Sequence, residues 1–251
     1  MSEPKINEAA EIIKNSENIV VFSGAGISTE SGIPDFRSED GIWSKYDASY
    51  HGSYHVFLEN PKPFWKMHNE LSEQLENAEP NAAHKSIAEL EKMGKMKALI
   101  TQNVDMLHQR AGSGKYKDIP IYELHGSYAK LECIKCGKEY DLDEIDTKNV
   151  DYPVCDKCSG FIKPKVILFG ESLPMGVLNA ALNAVRKADC LIMVGSSLQV
   201  TPANSVPLIA KESGSKIIFV NKEPTIMDNL ADVILEGKAG DIFTELMKKI
   251  K

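Results

Sequence analysis

No stretch of this chain approaches the ~18 consecutive apolar residues of a membrane-spanning helix. Its first apolar run, Ile19 to Phe22, stops after four residues. The opening MSEPKINEAAEIIKNSENIVVFSG has no basic segment followed by an apolar core, so no secretory signal is read there. An excess of positive charge is missing too: 29 Lys and Arg stand against 36 Asp and Glu, a net charge of −7. So acidic a chain lacks the phosphate-neutralising surface of a non-specific nucleic-acid binder. A neutral or cationic protein substrate remains open. Cysteine is scarce and odd in number, five in all, and four of the five sit in two CxxC pairs. Together these traits predict a cytoplasmic chain, in a reducing compartment where such spacing argues for metal over disulfides. There is no internal repeat and no low-complexity tract.

The chain has 251 residues, of which 43% are hydrophobic and 26% charged, which predicts one sizeable soluble domain with inserted lobes. Short apolar runs recur, each ending in small or polar residues. Ile19–Phe22 precedes Ser23-Gly24-Ala25-Gly26, and Ala98–Ile100 precedes Thr101-Gln102-Asn103. Val166–Phe169 precedes Gly170-Glu171, Leu191–Val194 precedes Gly195-Ser196-Ser197, and Ile217–Val220 precedes Asn221. Runs that are apolar throughout, rather than alternating, indicate strands buried on both faces. Helical spacing over residues 5–15, and helical stretches at Asn81–Met93, Gly176–Lys187 and Thr201–Ser213, lie among them. The alternation predicts an α/β fold, a parallel sheet with helices on both faces. Ligands in such sheets bind at the carboxyl ends of the strands, where these polar residues fall. Two segments break the pattern. Residues 38–80 are rich in aromatics, His and Pro and read as a loop plus a helical lobe; residues 128–163 carry the cysteine pairs.

Gly24 and Gly26 allow backbone N–H groups to approach a pyrophosphate. The third glycine of the dinucleotide fingerprint is absent, so by itself the motif is equally an ordinary strand-to-helix turn. Gly32-Ile33-Pro34-Asp35-Phe36-Arg37 suits a segment folding over a nucleotide, with Arg37 binding phosphate and Phe36 shielding a reacting face; a core Phe and a solvated Arg are the alternative. Cys133-x-x-Cys136 and Cys155-x-x-Cys158 stand 18 residues apart, the spacing of a four-cysteine zinc ribbon. Four thiolates leave no open position for water, so the metal is structural. Seven Lys against eight Asp and Glu over 130–165 argue against a nucleic-acid ribbon. Gln102, Asn103 and Asp105 can fix hydroxyls or a carboxamide, or simply cap a helix starting near Asp105. His125, followed by Gly126 at a strand end, is a candidate general base. His84 and His108 read as packing or capping residues, and Cys190 as a core residue.

Taken in order, Gly24-Ala25-Gly26-Ile27-Ser28, Gly32 to Arg37, Thr101 to Asp105, His125-Gly126, the two CxxC pairs, Pro164…Phe169-Gly170-Glu171 and Gly195-Ser196-Ser197 resemble the sirtuin family over about residues 5–250. The resemblance implies an NAD-dependent protein lysine deacetylase. It would transfer the acetyl group of acetyl-lysine to ADP-ribose and release nicotinamide and O-acetyl-ADP-ribose. Its cofactors would be NAD and a structural Zn2+, and its partners acetyl-lysine proteins or peptides, with no nucleic acid and no membrane. The layout implied is a Rossmann-like NAD-binding domain (1–37, 81–127 and 164–251), a cofactor-binding loop and helical module (38–80) and a zinc module (128–163). His125 and Asn103 would be catalytic. Ala25, Ser28, Thr29, Phe36, Arg37, Gln102, Val104, Asp105, His125, Ser196, Ser197, Asn221 and Asp241 would contact NAD. Phe36, Val104, Ile167 and Phe169 would wall the acyl-lysine tunnel, and Gly170, Glu171 and Leu173 would pair with the peptide backbone. Cys133, Cys136, Cys155 and Cys158 would hold zinc. Where sirtuins that prefer succinyl or malonyl groups carry Tyr-x-x-Arg, this chain has His68 and Leu71, so acetyl is expected over succinyl. Mono-ADP-ribosyl transfer and NAD hydrolysis use the same electrophile and are the alternatives within enzymes. A non-catalytic zinc-ribbon nucleotide-binding regulator is the alternative outside them, and the acidic ribbon and His125 speak against it.

Overall fold

The computed structural model describes residues 2–251. Its nine strands, numbered in chain order, are β1 (Ile19–Ser23), β2 (Met96–Thr101), β3 (Ile121–Glu123), β4 (Gly126–Cys133), β5 (Glu139–Tyr140), β6 (Ile162–Val166), β7 (Cys190–Val194), β8 (Lys216–Asn221) and β9 (Val233–Glu236). Six of them form one sheet in the order β3-β2-β1-β7-β8-β9, with every pair parallel. The chain starts in the middle, builds out to β3, then returns to lay β7 on the other side of β1. The order reverses between β1 and β7, and such switch points open a crevice at the strands' carboxyl ends. Every residue of β1 and β7 is buried, as expected of strands covered on both faces.

The ten α-helices among the described residues are α1 (Glu3–Asn15), α2 (Ile42–Lys45), α3 (Ala48–His51), α4 (Tyr54–Glu59), α5 (Lys62–Asn77), α6 (Ala82–Lys92), α7 (Leu107–Ala111), α8 (Met175–Val185), α9 (Val206–Glu212) and α10 (Ala239–Ile250). α1, α6 and α10 bury one apolar stripe each against one face of the sheet; in α1 the stripe is Ile6, Ala9, Ala10 and Ile13, a helical repeat. The Asn81 side chain caps α6 by accepting the Ala83 N–H at 3.0 Å, and its own Nδ2 donates to the Ile27 carbonyl at 2.7 Å. One side chain thus starts the helix and pins the loop after β1. α8 and α9 cover the opposite face. No helix among the described residues is long and apolar enough to cross a membrane.

A third core joins the helical lobe α2–α5 to the antiparallel sheet β5-β4-β6. Trp65 of α5 is its fully buried centre, and the indole N–H donates to the Ile162 carbonyl of β6 at 3.1 Å. This sheet corrects one expectation. The run Val166–Phe169 is not a strand of the parallel sheet: β6 ends at Val166 and pairs antiparallel with β4. Residues 167–169 continue without a ladder because their backbone groups go elsewhere, Ile167 N–H to His125 and Phe169 N–H to Gly52. Val166 and Leu168 face the lobe's core, while Ile167 is half-buried and Phe169 is exposed. β9 and α10 were not among the expected elements and complete the sheet edge and one helical layer.

Candidate active site

At the switch point two loops approach more closely than side chains would allow. A Cβ on Gly195 would lie 2.2 Å from the Ile27 nitrogen, and one on Gly24 would lie 2.8 Å from the Gly195 oxygen. Gly195 also has φ +62, the left-handed region that favours glycine. The Gly24 and Gly26 N–H groups are used by the protein, on Val194 and Gly195 carbonyls at 3.0 and 2.8 Å. Among the described residues the Ala25 N–H has no hydrogen-bond partner, which leaves one backbone donor free in the loop after β1. The glycines are thus required first by loop-on-loop packing.

Polar residues at the ends of neighbouring strands form one network. Ser23, in register with Thr101, donates to the Thr101 hydroxyl at 2.8 Å and lies 2.8 Å from His108 Nε2. Thr101 Oγ1 accepts the Asn103 N–H at 3.0 Å. Asn103 Nδ2 donates to Ser28 Oγ at 3.1 Å, and Ser28 donates to Asp105 Oδ2 at 2.6 Å. The second oxygen of Asp105 accepts the Leu107 N–H at 2.9 Å, which fixes the turn leading into α7. Burial raises the Asp105 carboxyl above the usual range, opposed by these hydrogen bonds. Gln102 Nε2 reaches across the crevice to Ser196 Oγ at 2.8 Å, and Asn221 Nδ2 donates to the Ser196 carbonyl at 3.3 Å.

His125 closes the group. Its Nδ1 lies 3.1 Å from the Gln102 carbonyl. A carbonyl only accepts, so Nδ1 carries the proton and Nε2 has a free lone pair. Burial lowers the imidazole pKa from 6.5, the Gln102 bond opposes this, and the positive charge of Arg37 lowers it further. The ring is therefore neutral at physiological pH.

Sequence-predicted residues thus divide. Ser28, Gln102, Asn103, Asp105, His125, Ser196 and Asn221 come together in the network, with Arg37 near enough to act on His125. Phe36 stacks at 5.4 Å on Trp43, which lies 5.9 Å from Phe169, an aromatic row outside the network. Thr29 bonds only the Gly26 carbonyl, at 3.0 Å, and Ser197 is half-buried. Val104 and Ile167 are half-buried, Gly170 is exposed and Leu173 packs on the sheet's own core. Asp241 is exposed on the first turn of α10, and no hydrogen bond joins it to the others. Sequence reasoning missed Ser23, Thr101 and His108 as one unit; two hydroxyl residues ending otherwise apolar strands were the available signal.

The four Sγ atoms of Cys133, Cys136, Cys155 and Cys158 lie within 4.8 Å of one another. Cys133 to Cys158 is 3.5 Å and Cys136 to Cys155 is 3.7 Å. Zn–S bonds of ~2.3 Å give a tetrahedron with edges of ~3.8 Å, so the cage fits zinc. β4 runs from beside His125 to Cys133, roughly 25 Å of strand, which keeps the cage away from the imidazole.

Fold and site define a nucleotide-binding parallel α/β protein with an imidazole at its switch point and a four-thiolate module. A family model described as the Sir2 family matches residues 24–202. A curated relative, NAD-dependent protein deacylase 2 of Archaeoglobus fulgidus, is 49% identical over 252 residues, covering 99% of this chain and 97% of its own. A structure reported as the structural basis for the mechanism and regulation of Sir2 enzymes superposes with a TM-score of 0.92 at 48% identity, covering 99% of this chain and 98% of its own. A Sir2 protein solved with a deacetylated p53 peptide and 3′-O-acetyl ADP-ribose gives 0.91 at 36% identity, covering 97% and 98%. The chain belongs to the Sir2 family.

Proposed function

We infer that this protein is an NAD-dependent protein lysine deacetylase that removes the acetyl group from acetyl-lysine and transfers it to ADP-ribose. The observation that carries the reading is His125, fixed through Nδ1 and free at Nε2, beside a crevice lined by carboxamides and hydroxyls. That donor set fits a dinucleotide: an unpaired Ala25 N–H and the Arg37 cation suit the pyrophosphate, and Ser196, Ser197 and Asn221 suit the adenosine side, with Asp241 toward the adenine. Thr29 and Phe36 are assigned to the same cofactor in this reading. Gln102, Asn103, Asp105 and Ser28 suit the nicotinamide and its ribose.

When bound, NAD supplies an electrophilic ribose carbon with nicotinamide as its leaving group. The chain's own residues do the rest. Asn103, held through Thr101 and Ser28, orients the polar groups at that carbon. Phe36, Val104, Ile167 and Phe169 exclude water around the acyl-lysine, and Gly170, Glu171 and Leu173 offer backbone to the peptide. No side-chain nucleophile is needed, because the acyl oxygen of the substrate serves, and holding it in place supplies up to ~7–11 kcal/mol of the barrier. Nε2 of His125 then takes the proton of the attacking sugar hydroxyl, a step typically worth ~10²–10⁴-fold. At the acyl-recognition positions, His68 is buried and its pKa is lowered to about 4 by burial, and Leu71 is apolar. No cation faces a carboxylate there, so acetyl is preferred to succinyl.

The division into an NAD-binding domain, a helical module over 38–80 and a zinc module over 128–163 belongs to the same reading. Thiolate ligands for structural zinc suit a reducing compartment, and we place the enzyme in the cytoplasm. Product analysis tests the reading: with NAD and an acetyl-lysine peptide, nicotinamide and deacetylated peptide are expected in equal amounts. Nicotinamide without deacetylation would mark a hydrolase or ADP-ribosyltransferase, and no turnover a nucleotide-binding regulator. A succinyl-lysine peptide turned over faster than its acetyl twin would overturn the acyl preference.

A further inference from the structure

Lys163 stands on β6 with its side chain 1% exposed, among the largest fully buried side chains of the molecule. A buried ammonium is strongly unfavourable unless every proton finds an acceptor. Lys163 Nζ donates to the Val166 carbonyl at 2.8 Å and lies 3.4 Å from the Pro164 carbonyl. It pairs with Glu171 Oε1 at 3.3 Å and Glu132 Oε1 at 3.8 Å. The other oxygen of Glu171 accepts the Leu168 N–H at 3.0 Å, and the Glu171 N–H returns to the Leu168 carbonyl at 3.0 Å. These bonds close residues 168–171 into a turn, with Gly170 at φ +87.

The same strip is tied on its flanks. Ile167 N–H donates to the His125 carbonyl at 2.9 Å, Phe169 N–H to Gly52 at 2.8 Å, and the Phe169 carbonyl accepts the Tyr54 N–H at 2.9 Å. The Gly170 backbone groups are exposed and have no partner among the described residues. Gly170 thus offers a free N–H and C=O from a backbone whose neighbours are fixed, a preset partner for the backbone of an added peptide. Among the described residues no hydrogen bond or ion pair joins Lys163 to a residue assigned to NAD.

We propose that Lys163 is a positioning residue for the peptide substrate: its ammonium holds Val166 and Glu171, so that residues 167–171 meet an acyl-lysine peptide already ordered. This rests on the reading of Gly170, Glu171 and Leu173 as the peptide edge. Without the ammonium, the Glu171 carboxylate turns to water and frees the Leu168 N–H. The peptide then bears the cost of ordering the turn as it binds. The chemistry at His125 and the NAD contacts are untouched.

The test is steady-state kinetics of the full chain, wild type beside Lys163→Met and Lys163→Arg, with peptide and NAD varied in turn. Lys163→Met is expected to raise the peptide KM about tenfold, with kcat and the NAD KM unchanged, and Lys163→Arg to restore the peptide KM. Hydrogen exchange at the Leu168 amide is expected to quicken in Lys163→Met alone. An unchanged peptide KM, or an NAD KM that rises with it, overturns the proposal. Should Lys163→Met fail to fold, Lys163→Gln, neutral and of similar reach, replaces it; the same rise in peptide KM supports the proposal and its absence overturns it. A wild type that deacetylates no peptide sinks the deacetylase reading instead. Exchange at Leu168 then still decides the role of Lys163: faster exchange supports it, and unaltered exchange overturns it.

Discussion

One hydrogen bond, from the His125 Nδ1 to the Gln102 carbonyl, decides which nitrogen is free to act. Because the neutral ring is the active form, kcat/KM falls as the pH drops through the imidazole pKa, which lies below 6.5. Arg37→Gln removes a positive charge that disfavours the imidazolium, so the acid limb of the profile should move toward higher pH; a limb that stays in place contradicts that coupling. Gly195→Ala places a methyl against Ile27 and strains a positive φ, and a loss of at least about 2 kcal/mol in chemical denaturation is expected. His125, Gln102, Asn103 and Ser196 were legible because polar residues end runs that are otherwise apolar. The polar partners of Lys163 and His108 were not, because Glu132 and Ser23 lie far along the chain and Glu171 meets Lys163 only through a turn; Gly195 stood out as a strand end, but its close approach to Ile27 did not. Sequence alone offers no reason to bury a lysine.

Among the elements, the zinc module was the most legible, since two CxxC pairs at ribbon spacing leave few other chemistries. Chelation of the purified protein should release one zinc per chain and abolish deacetylation although no NAD-assigned residue is touched; full activity in a metal-free protein would contradict a structural metal. The helical lobe depends on Trp65, and Trp65→Ala should cost ~3–5 kcal/mol by denaturant unfolding. Trp65→Phe should cost less, losing volume and the bond to Ile162. The run Val166–Phe169 misled because a short apolar run looks alike whether a β-ladder or a helical lobe packs against it. What distinguishes them is where the backbone N–H groups go, and only the fold displays that. β9 escaped notice for a different reason: its apolar run, Val233–Leu235, is as short as any of those that stood out, and α10 went unread beside it.

Over the whole molecule, strand order places everything else. Starting at the sheet's centre and building outward to both sides puts the loops after β1, β2 and β7 at one crevice. The alternation of runs and helices announced a parallel sheet, but not which strands are neighbours. The same burial that keeps His125 neutral acts on three other imidazoles. His68 and His84 are lowered to about 4 by burial, and His108 well below 6.5, again chiefly by burial. The unfolded chain therefore binds more protons than the native one between pH 6.5 and about 4. Stability should be full above that window and fall within it by up to about 1.4 kcal/mol per pH unit for each histidine. Urea melts at pH 7 and pH 5 measure this, and His68→Phe should flatten the dependence.

The central claim is that one imidazole completes deacetylation. The direct measurement is NAD-dependent deacetylation of an acetyl-lysine peptide by wild type and His125→Ala, both folded and zinc-loaded. A loss of ~10²–10⁴-fold in the variant is predicted; a variant as fast as wild type would contradict the account.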